Sequence, residues 1–519
     1  MRQIVHSAMG GSRRLTYVSA ILCIVVTLLG VSAPVAAEGE VTPLGALIPG
    51  TDHVRPTPGV PYACQDGIQG SGAKYRICMP PVWNRELVVY AHGYMAPNQD
   101  VHIPEDQLQL GGRYVPDVVN FMGYAFATTS YSANGLAVGE GLADLVDLVR
   151  IFRSQHPEVT KVYLVGVSEG GLITALATER YPEVFDGGLA LCGPVGDFRA
   201  QADYFGDFRT AFDYFFPQIL PSSPISIPQS LMDDWHSYYA DNVLPAIADS
   251  ANAISVTQLM SVTQAAYDPN SVQLSMGATI SGVLWYNVFA TNDAMIKLHG
   301  QPYDNFGRVY SGSLDDARLN GQVQRFSAEA AALNELEAKY QTTGRPQAPL
   351  VTLHNTLDPI VPNWHEDLYR DKVEVQHRKA MHNNLPPAAR YGHCNFTLWE
   401  VQQALQALQA MVANPVIPPW SVAISGPAAG KADISQPFVA TVSPLSATKP
   451  ITYTWAPEPD SGQGTANATY AWATEGRKAI SVTVENAGGM ATGSRAIIIT
   501  SHMLYLPMVT KGYRPTAGD

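Results

Sequence analysis

Charge is scarce in this chain. Of its 519 residues, 15% are Asp, Glu, Lys or Arg, and the balance is acidic, with a net charge of −13 at pH 7 and a pI near 5.4. Basic residues form no clusters, so neither a nucleic acid nor an anionic membrane finds a complementary face. No Gly-rich phosphate loop is present. His377 and His382 are near each other, but no H-E-x-x-H spacing accompanies them, so neither a metal nor a cofactor is expected. Cysteine is equally sparse, at five. What remains is a chain that is 46% hydrophobic and too long for one compact core, so two or more domains are expected.

The N-terminus has the layout of a signal peptide over residues 1–37. Arg2, Arg13 and Arg14 form a basic start, Leu15 to Val31 is apolar, and Val35-Ala36-Ala37 offers small residues for cleavage. Cleavage there removes three arginines and no acid, which takes the net charge from −13 to −16. The mature chain is then expected to be secreted, without a transmembrane anchor. Cys23 leaves with the signal, and four cysteines stay behind in an oxidising compartment. Cys64 and Cys78 flank the Gly-rich turn 67–72 and suit a hairpin staple. Cys192 and Cys394 remain as a second disulfide pair or as buried thiols.

Leu87-Val88-Val89-Tyr90-Ala91 is a continuous apolar run, as strands buried on both faces are. Tyr124 to Thr129 and Val162 to Val165 are further strands, and Leu189-Ala190-Leu191 another. Gly141 to Arg153 carries Leu142, Leu145, Val146 and Val149 at helical spacing between them. This alternation predicts an α/β fold with a doubly wound, mostly parallel sheet. It stops between about 195 and 347, where aromatic residues such as Phe205, Phe212 and Tyr214 and the helical stretch Ser327–Tyr340 suggest a mainly helical cap insertion. The three named aromatics are candidate substrate-binding residues. The pattern resumes with Leu350–Leu353, continues with Val373-Glu374-Val375, and closes with a helix from about Leu398 to Val412. The α/β domain thus spans 38–415. After the linker Ile417-Pro418-Pro419, short β-rich runs over 421–500 predict an all-β sandwich, followed by a tail at 501–519.

Chemistry concentrates at Gly166-Val167-Ser168-Glu169-Gly170, a G-x-S-x-G turn between a strand and a helix. Such a turn is too tight for side chains two residues either side of the serine. It lifts the Ser168 hydroxyl above the sheet as a candidate nucleophile. A serine needs a base, and the base needs an anion to orient it. Asp358 follows strand 350–353, and His393 follows in Tyr391-Gly392-His393-Cys394, giving the order Ser…Asp…His. An oxyanion formed at Ser168 needs two N–H donors. They are assigned to the amides of Glu169 and of Tyr94, the latter in the His92-Gly93-Tyr94 loop.

From about residue 60 to 415 these motifs resemble a secreted, capped serine hydrolase of the α/β-hydrolase superfamily. The resemblance implies hydrolysis of carboxylic esters, including bulky or polymeric ones, through an acyl-enzyme. Gly170-Gly171 is also similar to prolyl oligopeptidase-like peptidases, which leaves a serine peptidase as the alternative. A non-catalytic adhesive protein on the same fold is a third reading. Tannase and feruloyl-esterase relatives bridge cysteines beside the serine and the histidine. Here Cys394 follows His393 but Val167 precedes Ser168. Residues 421–500, with Tyr453-Thr454-Trp455 and Val484-Glu485-Asn486-Ala487-Gly488-Gly489, resemble a PKD-type immunoglobulin-like module. That resemblance implies a spacer or an adhesive toward a polymer or cell surface.

Overall fold

The computed structural model describes residues 63–221 and 223–501. The signal-like segment 1–37 and the tail from residue 502 lie outside the described residues. Eight strands form the central sheet: β1 (Ala63–Ile68), β2 (Lys74–Met79), β3 (Glu86–Ala91), β4 (Ala125–Thr129), β5 (Lys161–Val167), β6 (Gly187–Leu191), β7 (Leu350–Leu353) and β8 (His382–Asn384). Their spatial order is β1-β2-β4-β3-β5-β6-β7-β8. The first two ladders, β1–β2 and β2–β4, are antiparallel. Every later ladder is parallel. This is the α/β-hydrolase fold.

The alternation of side chains along each strand divides the apolar runs between two layers. Leu87, Val89, Ala125, Ala127, Val162 and Leu164 face one side, where helices Val138–Gln155 and Glu169–Arg180 contribute Leu145, Val149, Phe152, Ile173 and Leu176. Val88, Tyr90, Phe126, Tyr163, Val165, Leu189, Val351 and Leu353 face the other, under Ala404, Leu405 and Leu408 of helix Leu398–Ala413. Both faces are therefore covered, and each such buried aliphatic or aromatic side chain contributes roughly 1.5–3 kcal/mol. A capping box between Thr397 and Glu400 starts the last helix.

One expectation is corrected. Val373-Glu374-Val375 is not a strand but the last turn of helix Trp364–Val375. Tyr369 and Val373, four residues apart, face the core from it. The strand position is taken instead by His382–Asn384, parallel to β7.

Among the described residues, only helices connect β6 to β7. Phe198–Phe215, Ala253–Thr263 and Val272–Lys297 are the longest. They enclose a core of Phe208, Phe212, Phe216, Leu259, Ile280, Val283, Leu284 and Val288, and Ile360 and Val361 from beyond β7 belong to the same core. Arg209, fully buried, donates to Asn287 Oδ1 at 2.9 Å and ties the first of these helices to the last. No helix among the described residues is long and apolar enough to cross a membrane.

Residues 421–500 form two sheets, one of three strands and one of four. Both contribute to a single core of Phe438, Trp455, Tyr470, Ile480, Val482, Val484, Ile497 and Ile499. This module docks through its Glu485–Gly488 turn. Glu485 Oε1 lies 3.0 Å from His377 Nδ1, and the Ala487 and Gly488 carbonyls accept from Ala380 N and Arg378 Nη1 at 3.2 Å each. Residues 377–380 lead into the N-terminal end of β8. The module therefore sits at the sheet edge opposite the strand C-termini.

Candidate functional site

Parallel strands end together, so the loops after β3, β5, β6 and β7 meet at one edge of the sheet. The turn after β5 is the tightest. Ser168 adopts φ 54° and ψ −120°, a conformation that costs a non-glycine residue about 1–3 kcal/mol. A Cβ at Gly166 would come within 1.9 Å of the Gly170 carbonyl oxygen, and one at Gly170 within 2.1 Å of the Ala91 oxygen. Both glycines are thus required by the turn. The Ser168 amide is held by the Leu191 carbonyl at 2.9 Å.

Ser168, His393 and Asp358 come together in one hydrogen-bonded chain. His393 Nε2 lies 2.8 Å from Ser168 Oγ, and His393 Nδ1 lies 2.8 Å from Asp358 Oδ2. Asp358 is buried, and its Oδ1 accepts from Ile360 N at 2.9 Å and Val361 N at 3.0 Å. Burial alone would raise the pKa of this carboxyl. The charges and hydrogen bonds of His393 and His354 outweigh that and hold it well below the usual carboxylate range.

His354 extends the chain inward. Its Nε2 donates to Val361 O at 2.8 Å and lies 3.5 Å from Asp358 Oδ2, while Nδ1 faces Glu366 Oε1 at 3.3 Å. Burial disfavours its charged form. The two carboxylates prevail and lift its pKa to about 10, so it stays an imidazolium at neutral pH. Glu366 is held in turn by Thr352 Oγ1 at 2.5 Å and by Asn384.

The loop after β3 approaches from the other side. At Gly93 a Cβ would stand 3.2 Å from the Ser168 Cβ. The Gly93 amide donates to Gln107 Oε1 at 2.7 Å, and Gln107 Nε2 reaches the Tyr94 carbonyl at 3.4 Å. Among the described residues no acceptor meets the Tyr94 amide. Glu169 opens its helix, so its amide has no acceptor within the helix. His92 lies beneath, stacked on Tyr131 at 3.9 Å between ring centroids. Burial lowers its pKa to about 4, so it stays neutral.

The Glu169 side chain accepts from Ala137 N at 2.8 Å. Burial pushes its pKa up to about 8 despite that bond and the nearby Lys297.

Aromatic rings from the cap gather around Tyr94. Phe205 stacks on Tyr286 at 5.2 Å with 4° between planes. Tyr94 meets Tyr286 at 5.5 Å and Trp285 at 6.0 Å. All four keep partial exposure. One expected wall residue is corrected. Phe212 is fully buried in the cap core against Phe216, with no face left for a substrate. Tyr214 packs on Phe215 and on the small cluster of Tyr310, Leu319 and Val323.

Both disulfides are formed, Cys64–Cys78 and Cys192–Cys394. The second has Cα atoms 5.3 Å apart and brings Cys394 Sγ to 3.5 Å from His393 Nε2. Cys192, His393 and Cys394 are grouped closely enough for a metal, but both sulfurs are consumed by the bond.

Sequence reasoning missed Gln107, His354 with Glu366, and the pair Trp285–Tyr286. Gln107 gives no local signal. Trp285 and Tyr286 lie in a helix apolar on most faces, where an aromatic reads as core.

The family model described as Hydrolase_4, serine aminopeptidase, S33, matches residues 137–270. That stretch runs from the helix before β5 through the Ser168 turn into the cap. No curated protein matches the sequence. Among solved structures, feruloyl esterase B from Aspergillus oryzae is similar at 13% identity and TM-score 0.40, over 70% of this chain and 81% of that one. The Pyrococcus furiosus esterase Pf2001 is 10% identical with TM-score 0.34, over 68% and 92%. The Pyrococcus horikoshii acylaminoacyl peptidase is 9% identical with TM-score 0.33, over 67% and 41%.

Proposed function

We propose that the protein is a secreted serine hydrolase that cleaves carboxylic esters through an acyl-enzyme. The observation that carries this reading is the hydrogen-bonded chain Ser168–His393–Asp358, each link 2.8 Å. Ser168 Oγ attacks the ester carbonyl carbon while its proton passes to His393 Nε2. The oxyanion accepts from the Glu169 and Tyr94 amides. The C–O bond to the alcohol then breaks, and the alcohol leaves with the proton from His393. Water repeats the sequence on the acyl-enzyme and releases the acid.

An aminopeptidase reading has one observation in its favour, the family match over 137–270. Such an enzyme needs an anion for the substrate's terminal ammonium. The acidic groups that act on Tyr94 and Tyr286 are committed: Asp358 to His393 Nδ1 at 2.8 Å, Glu169 to Ala137 N, and Asp293 to Leu136 N at 2.7 Å and Lys297 at 3.2 Å. The wall is aromatic, which favours an ester with a bulky apolar part. The two disulfides agree with export. The PKD-like module, docked at the far edge of the sheet, leaves the cleft open while it contacts a polymer or cell surface.

Fluorophosphonate labelling of the wild type and Ser168→Ala, with p-nitrophenyl esters and aminoacyl-nitroanilides as substrates, tests this. Labelling and ester turnover are expected in the wild type and both are lost in the variant. Nitroanilide turnover exceeding ester turnover overturns the ester assignment, and wild-type turnover in Ser168→Ala overturns the nucleophile.

A further inference from the structure

The cap helix Val272–Lys297 is pinned to the α/β domain at both ends. Near its start, Tyr391 OH lies 2.9 Å from Thr279 Oγ1 and donates to Ser275 O at 3.0 Å. Tyr391 is two residues from His393. Near its end, Asp293 accepts from Leu136 N at 2.7 Å, and Lys297 Nζ donates to the Asn134 carbonyl. Between these anchors Gly282 leans on Ile360, two residues past Asp358, where an added Cβ would stand 2.9 Å from Ile360 Cδ1. A helix held at three points along its length is a fixed roof rather than a swinging lid.

Tyr286 lies between the anchors, with its ring wedged between Phe205 and Tyr94. Its hydroxyl interacts with the Ser168 side chain, though without the full hydrogen-bond geometry that His393 achieves with the same oxygen. We propose that the cap helix is part of the reaction centre, and that the Tyr286 hydroxyl is a third donor to the oxygen that becomes negative when Ser168 adds to its substrate. This rests on the serine-hydrolase reading above.

The chemistry fits the placement. Burial, and then the nearby Asp358 and Glu169 carboxylates, push this hydroxyl well above the ordinary tyrosine range. It therefore stays neutral and can donate at any working pH. In the resting site Ser168 Oγ donates to His393 Nε2, so its lone pairs remain able to accept. When Oγ bonds to carbon, the adjacent oxygen gains charge and is the better acceptor. A contact that is loose at rest and tightens as charge develops stabilises the transition state rather than the ground state. A hydroxyl whose ring lies 5.5 Å from that of Tyr94, whose amide is an assigned oxyanion donor, is well placed for that exchange.

Tyr286→Phe removes one oxygen and keeps both the stack on Phe205 and the tilted contact with Tyr94, so packing is preserved. The experiment compares wild type and Tyr286→Phe by p-nitrophenyl acetate turnover and by the second-order rate of fluorophosphonate labelling at Ser168, with Tm as the control for folding. Tenfold or greater loss in kcat and in labelling rate, at similar KM and Tm, is expected. Labelling within threefold of wild type overturns the proposal. Labelling also generates an oxyanion, on phosphorus, so it tests Tyr286 even where no ester is turned over. Absence of ester turnover by the wild type would count against the ester reading alone.

Discussion

Asp358→Asn isolates the orienting anion from everything else in the cleft. The substitution keeps the shape of the side chain and exchanges one oxygen for NH2. In the wild type Oδ1 accepts from two amides, Ile360 and Val361, and Oδ2 accepts from His393 Nδ1. The new NH2 cannot take the Oδ1 place, because it would face two N–H donors there. It must take the Oδ2 place and donate toward His393. His393 then presents an unprotonated Nδ1 and carries its hydrogen on Nε2, facing Ser168 Oγ. That tautomer cannot accept the serine proton. A loss of about 10⁴ in kcat is expected, which corresponds to roughly 5 kcal/mol of transition-state stabilisation. KM should change little, because no substrate contact is altered. The assay is steady-state turnover of a p-nitrophenyl ester with circular dichroism as the fold control. A folded variant within tenfold of wild-type kcat would refute the assignment of Asp358, and with it the tautomer argument.

Two further outcomes follow from the buried groups around this chain. Burial pushes the Glu169 pKa up to about 8 in the folded protein, against about 4.3 when unfolded, so its contribution to stability is full below about pH 4.3 and is lost as pH rises toward 8. Glu169→Gln keeps an oxygen for Ala137 N; its Tm minus that of wild type should therefore rise across that window, and a pH-independent difference would contradict the burial argument. The Cys192–Cys394 bond closes a long loop, 202 residues in sequence separation, worth about 5 kcal/mol in the chain-entropy model. Cys192→Ser with Cys394→Ser should lower Tm and reduce kcat at temperatures where the fold persists, and unchanged values of both would show that the bond neither stabilises the fold nor steadies the His393 loop.

The layered α/β architecture was legible because buried parallel strands must be apolar on both faces, and the runs at Leu87–Ala91 and Val162–Val165 are. The Ser168 turn was legible because its backbone admits only glycine at Gly166 and Gly170. Asp358 and His393 could be picked out because each follows a strand or lies in a glycine-flanked loop. The wall was harder to read. Phe205, Phe212 and Tyr214 belong to one aromatic helix, and the sequence does not say which stretch of it lies near Ser168. Phe205 and Phe212, seven residues apart, share one face, yet Phe205 keeps partial exposure beside Tyr286 while Phe212, two turns on, is fully buried in the cap core. Gln107 and Tyr286 act through long-range contacts with no periodic or local signature.

The deeper reason the sequence misjudges the cap is that it presents it as an insertion, a segment added between β6 and β7. Packing erases that boundary. Ile360 and Val361 give their amides to Asp358 and their side chains to the cap core. The Pro359 and Ile360 carbonyls accept from Tyr204 OH at 2.7 Å and from Gln201 Nε2 at 2.9 Å, both on the first cap helix. The Asp358 loop is therefore built by two cores at once, the sheet from below and the cap from above. Stripping the cap would expose the apolar side of that loop and release the two amides that hold Asp358 against His393. The Asp358 loop and the cap core share residues in this fold, so a change deep in the cap reaches His393 through the orientation of Asp358.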